Sequence, residues 1–371
     1  MTGIDERMRT LLDDLGLDAI MANTRSSVRY LSGVDFPVTG LAPEERTFVL
    51  WTRNRQVLLA PGWYDPYATE NSHIDIQYCH YPTWIYDALV DLFKDLDLSA
   101  GAVGIEAEFV PMTISDVLRG AMPDIKLQGV DAELLVLRSQ KAPEEVEKMH
   151  AASRAAELGL IDAISACDVG VTEREFSRIL RDAVLANGAD SIAWLALRWG
   201  DTTQRMVFRD IPIRKGELIN IEMGCSIDGY LSDVQRMVAA TPVDPVTARA
   251  YSDFHALLER SLLGIKPGAT TLDVYNSFLA DMKDAGLEQW NAYFLGHAIG
   301  LDAHEAHWMW QQSDPTNVIP EDSFYALEPM ILSPKLLAIE DTVHVSSKGN
   351  NVVSSHGDWS ELVVLGQRVD L

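Results

Sequence analysis

Residues 217–238, ELINIEMGCSIDGYLSDVQRMV, hold two alternating runs on either side of Asp228-Gly229. Both residues of that dipeptide tolerate positive φ, so the stretch predicts a tight antiparallel hairpin. With the turn centred there, Glu222 lies across from Gln235 and Asp233 across from Gly224, and both acids project from one face as diagonal neighbours. Carboxylates so placed can share a cation. Two acids alone fit the solvated face of an ordinary hairpin just as readily, so the reading depends on what the rest of the chain supplies.

A second stretch, FYALEPMILSPKLLAIEDTVHV at 324–345, repeats the pattern. Ser333-Pro334-Lys335 separates two strand-like runs, and a turn centred on Pro334 puts Glu328 opposite Glu340. Their settings, ALEPMIL and LAIEDTV, are strongly apolar, and an ionised carboxylate is expensive to bury there unless a cation or strong donors compensate. Between the hairpins lies YFLGHAIGLDAHEAHW, whose His297 is flanked by glycine and apolar residues, as a ligand on close-packed backbone would be. Four carboxylates and one imidazole make a hard, oxygen-rich set suited to two divalent ions about 3.5–4 Å apart, with manganese, cobalt, iron or zinc all compatible. Such a pair supports attack of water on a polarised carbonyl, so amide hydrolysis is the natural reaction.

Composition narrows the setting. Thirty basic residues against fifty-five acidic ones give a formal charge of −25, which disfavours nucleic acid and anionic membrane surfaces as partners. Cys79, Cys167 and Cys225 are odd in number and nowhere spaced as CxxC, which argues against a disulfide framework and a thiolate zinc site. The N-terminal stretch MTGIDERMRTLLDDLGL has the pattern of an amphipathic helix rather than an export signal, and no run approaches the roughly 20 apolar residues of a membrane span. The expectation is a cytoplasmic protein. Neither GxGxxG nor GxxxxGK is present to suggest dinucleotide or phosphate-loop chemistry.

At 371 residues the chain is long enough for two domains. The first third alternates an amphipathic helix with strand-length apolar runs at AIMAN, TFVLW, QVLLA and AVGIE, an α/β pattern. Lys141, Ala142 and Pro143 interrupt, and Pro143-Glu144-Glu145 opens a helix in which Val146, Met149, Ala152, Ala156 and Leu160 recur at helical spacing. A further helix is expected over Glu173 to Asn187. The domains are therefore drawn at 1–141 and 142–371.

The ordered set INIEMG, DGYLSDVQR, LGHAIGLDAHE, LEP and IEDTV resembles the metal-site motifs of the pita-bread family that includes creatinase, prolidase and aminopeptidase P. LRSQKAPEEVEKMHAASRAAE resembles its first catalytic-domain helix, and LGLDAIMANTRSSVRYLSGVDF its N-terminal domain. The resemblance implies an α/β N-terminal domain and an α+β pita-bread catalytic domain, with two divalent ions, manganese first among them. It implies that Glu222, Asp233 and Glu340 hold one ion and Asp233, His297, Glu328 and Glu340 the other. Glu328 would also move protons, and His304, seven residues after His297, would hold substrate near the scissile bond. A homodimer is a further implication.

Three departures bear on substrate. Glu222 stands where the family's peptidases usually have aspartate. Arg205 and Met206 stand where a histidine is expected upstream of the first acid, and Tyr293 replaces another histidine four residues before His297. The resemblance thus implies an Xaa-Pro dipeptidase or aminopeptidase-like hydrolase acting on a small peptide. The alternative is a relative acting on a small nitrogenous or onium solute, as creatinase, ectoine hydrolase and the dimethylsulfoniopropionate lyases do. Trp194, Trp199, Trp308 and Trp310 could face such a solute, although core or interface packing explains tryptophans equally well. A non-catalytic binding protein is the third reading, opposed by the full set of ligand-type residues.

Overall fold

The computed structural model describes residues 2–37, 42–81, 83–199, 206–287, 294–331 and 336–369. Backbone contacts divide the chain into two units, Met1–Arg138 and Ser139–Leu371.

In the first unit the strands are β1 (Ala19–Ala22), β2 (Phe48–Thr52), β3 (Gln56–Pro61), β4 (Asp75–Cys79), β5 (Ala102–Ile105) and β6 (Lys126–Gly129). They form one sheet in the order β4-β3-β2-β1-β5-β6, antiparallel through β1, β2 and β3 and parallel toward both edges. The helices are α1 (Thr2–Leu15), α2 (Arg25–Ser32), α3 (Tyr67–Asn71), α4 (Ile85–Asp95), α5 (Met112–Ala121) and α6 (Asp131–Ser139). The four apolar runs read from the sequence are β1, β2, β3 and β5, the inner strands, and β1 is buried at every residue. Continuous apolar runs of this kind belong to strands covered on both faces. Leu89 and Phe93 of α4 and Leu118 of α5 pack with Met21, Leu50 and Leu59 in the core.

The second unit is built as two similar halves. The first begins with α7 (Pro143–Ala166) and α8 (Glu173–Ala186). Pro143 occupies the first turn of α7, and the Glu145 carboxylate accepts the Ala142 N–H at 2.7 Å. Thr172 and Glu175 cap α8 reciprocally. Next come β7 (Ser191–Trp199), β8 (Leu218–Ile227), β9 (Tyr230–Leu231) and β10 (Val234–Ala239). The second half has α9 (Pro245–Gly264) and α10 (Thr271–Asp284), each started by a side-chain cap, from Asp244 and Thr270 respectively. They precede β11 (Phe294–Ala298), β12 (Glu305–Trp310), β13 (Ser323–Leu327), β14 (Met330–Ile331), β15 (Leu337–Ala338), β16 (Asp341–Val345), β17 (Asn351–Val352) and β18 (Val363–Val364).

One sheet runs β18-β10-β8-β7 and the other β12-β11-β13-β16-β17. Ile219, Ile221 and Met223 of the first pack with α7 and α8, whereas Tyr325, Leu327 and Val343 of the second pack with α9 and α10. Alternation then turns Glu222 and His297, one residue out of phase, to the opposite faces. The sheets meet where Gln235 and Glu340 exchange backbone hydrogen bonds, Gln235 N–H to Glu340 O at 3.2 Å and Glu340 N–H to Gln235 O at 3.1 Å. That junction sets the metal-type residues of both halves side by side.

The hairpin at Asp228-Gly229 has positive φ at both positions, 48° and 83°. Gln235 pairs with Glu222 in the expected register. Across the second hairpin Leu327 pairs with Asp341 and Met330 with Ala338, so Glu328 and Glu340 face one another. The turn itself, Ser333-Pro334-Lys335, lies outside the described residues.

Gly296 shows how tightly the backbone is drawn at the centre. A Cβ on it would stand 2.0 Å from Ala326 O, so only glycine fits between β11 and β13. Gly296→Ala is expected to cost about 1–3 kcal/mol through overpacking and to displace the adjacent His297. Urea unfolding and manganese titration of that variant both read the effect, and unchanged values in both would refute the close-packing account.

Candidate metal centre

The five residues singled out as ligands come from five different points on the two sheets. Glu222 is on β8, Asp233 just before β10, His297 on β11, Glu328 just after β13 and Glu340 just before β16. Ligand-type atoms of Asp233, His297 and Glu340 all lie within 4.8 Å of one another. His297 Nε2 is 3.7 Å from Asp233 Oδ2, 3.5 Å from Glu328 Oε1 and 3.8 Å from Glu340 Oε1. Glu222 lines the same cavity, its Oε2 accepting from Gln235 Nε2 at 2.9 Å. His304 lies beside the group, its ring centroid 4.3 Å from that of His297.

The polar accounting of this cluster suits a cation. His297 Nδ1 sits 3.0 Å from Ala298 O, which fixes the proton on Nδ1 and leaves a lone pair on Nε2. Asp233 Oδ1, Gln235 Oε1, His297 Nε2 and Glu340 Oε1 are all buried and accept no hydrogen bond among the described residues. Buried acceptors are normally satisfied. Three of these residues, Asp233, His297 and Glu340, have ligand-type atoms within 4.8 Å of one another, and such unsatisfied acceptors call for protons or metal ions, so the residues present fit a divalent-metal centre.

The same crowding shifts the acids. Burial, with the neighbouring carboxylates, raises Asp233 and Glu340 well above the usual range. Burial and the Glu222 charge push Glu328 up to about 8. Burial and His304 lower His297 to about 3, so its imidazole is neutral at physiological pH. A carboxyl whose folded pKa is raised favours the native state while protonated, and that advantage is lost as pH rises through the folded value. His297 works the other way, costing stability only below its unfolded value of about 6.5. Metal-free protein is therefore expected to lose a few degrees of Tm between pH 6.5 and 8.5, and manganese to restore more at pH 8.5 than at 6.5. Calorimetry at the two pH values checks this, and a metal-free Tm that rises over that interval would contradict the raised carboxyl values.

The cavity over the cluster measures about 380 Å³. Trp194, Met206, Phe294, Trp308 and Met330 give it an apolar wall, while Arg198, Gln235 and His304 add polar groups to the acids. Trp194 pairs across the sheet with Gly224, and its ring occupies the space a Gly224 side chain would need. Trp308 joins an aromatic run of mutually tilted rings, 5.2 Å from Phe294 and 4.8 Å from His304 between centroids, with Trp310 beyond it at 6.5 Å. Of the positions that depart from the resemblance, Met206 lines the cavity, whereas Arg205 and Tyr293 lie outside the described residues. The side chain of Trp199 is likewise not described. Arg198, Gln235 and Phe294 were not singled out from sequence. For Gln235 the signal was present in its register opposite Glu222, but for Arg198 and Phe294 only the folded sheets supply it.

Comparison with known proteins places this arrangement. Residues 147–347 match the model of Metallopeptidase family M24, and residues 6–140 match the Creatinase/Prolidase N-terminal domain. The chain is 23% identical to an Xaa-Pro dipeptidase of Pyrococcus horikoshii over 91% of its own length and 93% of that protein's. Its fold superposes on the structure of an Xaa-Pro dipeptidase from Bacillus anthracis with a TM-score of 0.84 at 24% identity, covering 98% of this chain and 99% of that one. It also superposes on the N-terminal domain of the FACT complex subunit SPT16 from chickpea, with a TM-score of 0.74 at 16% identity over 97% of both chains. One fold thus serves proteins with different descriptions, and function has to be argued from the site. Among the described residues no helix is long and apolar enough to cross a membrane. With an N-terminal creatinase-like α/β domain followed by a pita-bread domain whose inner faces gather carboxylates and a histidine, the chain belongs to metallopeptidase family M24.

Proposed function

We propose that this chain is a dinuclear metal-dependent hydrolase that cleaves an amide bond in a short peptide, in the manner of an Xaa-Pro dipeptidase or aminopeptidase. The observation that carries the proposal is the group of four buried, unsatisfied acceptors on Asp233, Gln235, His297 and Glu340. Glu222, Asp233, His297, Glu328 and Glu340 would hold two divalent ions, and the oxygen-rich set favours manganese, with cobalt, zinc or iron as substitutes. Bound ions supply Lewis acidity toward the amide carbonyl and make water acidic enough to ionise near neutral pH.

The chain's own groups divide the remaining work. Glu328 lines the cavity with its Oε1 3.5 Å from His297 Nε2, and beside bound cations its ionised carboxylate would take a proton from water and return it to the leaving nitrogen. Burial lowers the pKa of His304, so its neutral ring can hydrogen-bond substrate without adding charge. Trp194, Phe294 and Trp308 exclude water and offer flat apolar faces to the residue beside the scissile bond. The charge of −25 supports a small-substrate reading over nucleic-acid or anionic-membrane partners. A homodimer in the cytoplasm is proposed with this reading.

A second reading has one observation in its favour. Aromatic faces beside several acids form a lining that also suits a small cationic solute. Metal analysis of purified protein, followed by a hydrolysis screen of Xaa-Pro dipeptides and of small amide and onium solutes after manganese loading, tests both. Near two ions per chain with dipeptide turnover supports the first reading. Turnover of the solutes alone replaces it with the second, and no metal uptake with no turnover of any compound refutes both.

A further inference from the structure

We infer that Gln235 is a sixth member of the metal-binding set, its Oε1 a neutral ligand and its Nε2 the group that orients Glu222. The inference rests on the proposed dinuclear centre and extends it to a residue type absent from the carboxylate and histidine set.

Position comes first. Gln235 pairs with Glu222 on one side and with Glu340 on the other, so the three side chains stand in a row on one face. Directly opposed residues on a sheet have Cβ atoms about 4.5–5.5 Å apart, and the carboxamide therefore sits between the two carboxylates. Asp233, two residues earlier on the same strand, points to that face as well.

Orientation of the amide follows from hydrogen-bond chemistry. Gln235 Nε2 lies 2.9 Å from Glu222 Oε2, and an ionised carboxylate only accepts, so the nitrogen must face Glu222. The oxygen is then turned away from Glu222. Gln235 is 3% exposed, and its Oε1 accepts no hydrogen bond among the described residues. A buried carboxamide whose donor is used and whose acceptor is left over is an expensive arrangement for packing alone. It is a useful one in the cavity that Asp233 and Glu340 also line with unsatisfied oxygens, because an amide oxygen ligates a hard divalent ion without adding negative charge to a crowded site. Glu222 carries one methylene more than the aspartate its position resembles, and the Nε2 hydrogen bond fixes the longer side chain.

Calorimetric titration of metal-free full-length protein with Mn²⁺ tests the inference, using wild type, Gln235→Met, Gln235→Asn and Gln235→Glu. Wild type is expected to take up two ions. Gln235→Met removes both functions and Gln235→Asn draws the oxygen back by one methylene, so each should weaken one of the two ions at least tenfold. Gln235→Glu keeps an oxygen in place but loses the N–H, and it should still bind two ions. If Gln235→Glu loses an ion as Gln235→Met does, the residue acts only through its hydrogen bond to Glu222 and ligation is overturned. Wild-type affinities in Gln235→Met and Gln235→Asn, even with a lowered metal-free Tm, would make Gln235 a packing residue and overturn the inference outright. Failure of wild type to bind Mn²⁺ would instead remove the dinuclear reading beneath it.

Discussion

Asp233→Asn and Glu340→Gln should each lose metal by more than a hundredfold in affinity and abolish metal-dependent hydrolysis, while the metal-free fold stays at least as stable as wild type. Both residues are buried, at 5% and 1% exposure, and both have ligand-type atoms in the tight group with His297. Groups that merely support a ligand already cost about 10–100-fold in affinity when removed, so loss of a charged ligand itself exceeds that. The expected stability effect has the opposite sign. Each amide replaces a carboxyl that must otherwise stay protonated or repel its neighbours, and so removes an unfavourable term at pH 8. Elemental analysis, a hydrolysis assay and thermal unfolding without metal separate the two effects. Full activity in either variant would sink the assignment, and unfolding of both variants would assign Asp233 and Glu340 to architecture rather than to metal.

How far the sequence alone could go is visible in the same residues. The hairpin around Asp228-Gly229 was legible because a local turn signal fixes register, and register fixes faces. Glu222 and Asp233 followed from it. Glu328 and Glu340 were legible because charge in an apolar run is itself unusual. Edge strands β4 and β6 were not: DIQYC and KLQG are partly or largely exposed, and their parallel pairing with β3 and β5 depends on neighbours distant in sequence. The likeness of the two halves of the second unit was also invisible, since it lies in the order of helices and strands and not in repeated residues. Long-range polar contacts were hidden for the same reason. Lys141 Nζ meets Glu305 Oε2 at 2.8 Å with both side chains almost wholly buried, across 164 positions of sequence.

Arg236 carries the largest of those hidden contacts, and its replacement by methionine should destabilise the second unit by about 3–5 kcal/mol, the penalty of breaking a buried ion pair from one side. The side chain is fully buried. Its Nη2 lies 2.6 Å from Asp341 Oδ1 and 2.6 Å from Ser354 O, and its Nη1 lies 2.7 Å from Glu340 O. Glu157 Oε1 is 3.7 Å away, and the Trp359 ring lies 4.9 Å below the guanidinium. Glu157 in turn accepts from the His356 and Gly357 backbone N–H groups and from Trp359 Nε1–H, so one cation holds the 354–359 segment against α7 and the β10–β16 junction. Methionine fills much of the volume but leaves Asp341 without its cation and Glu340 O with the Gln235 N–H as its remaining donor. Because that carbonyl belongs to a proposed ligand residue, manganese affinity should fall along with stability. Lysine keeps the charge but not the planar fork that serves several acceptors at once, so Arg236→Lys should recover only part of the loss. Urea unfolding of the three proteins, each with and without manganese, gives the order wild type, lysine, methionine. If Arg236→Met matches wild type in both stability and affinity, the guanidinium is not what ties the two sheets together at the metal centre.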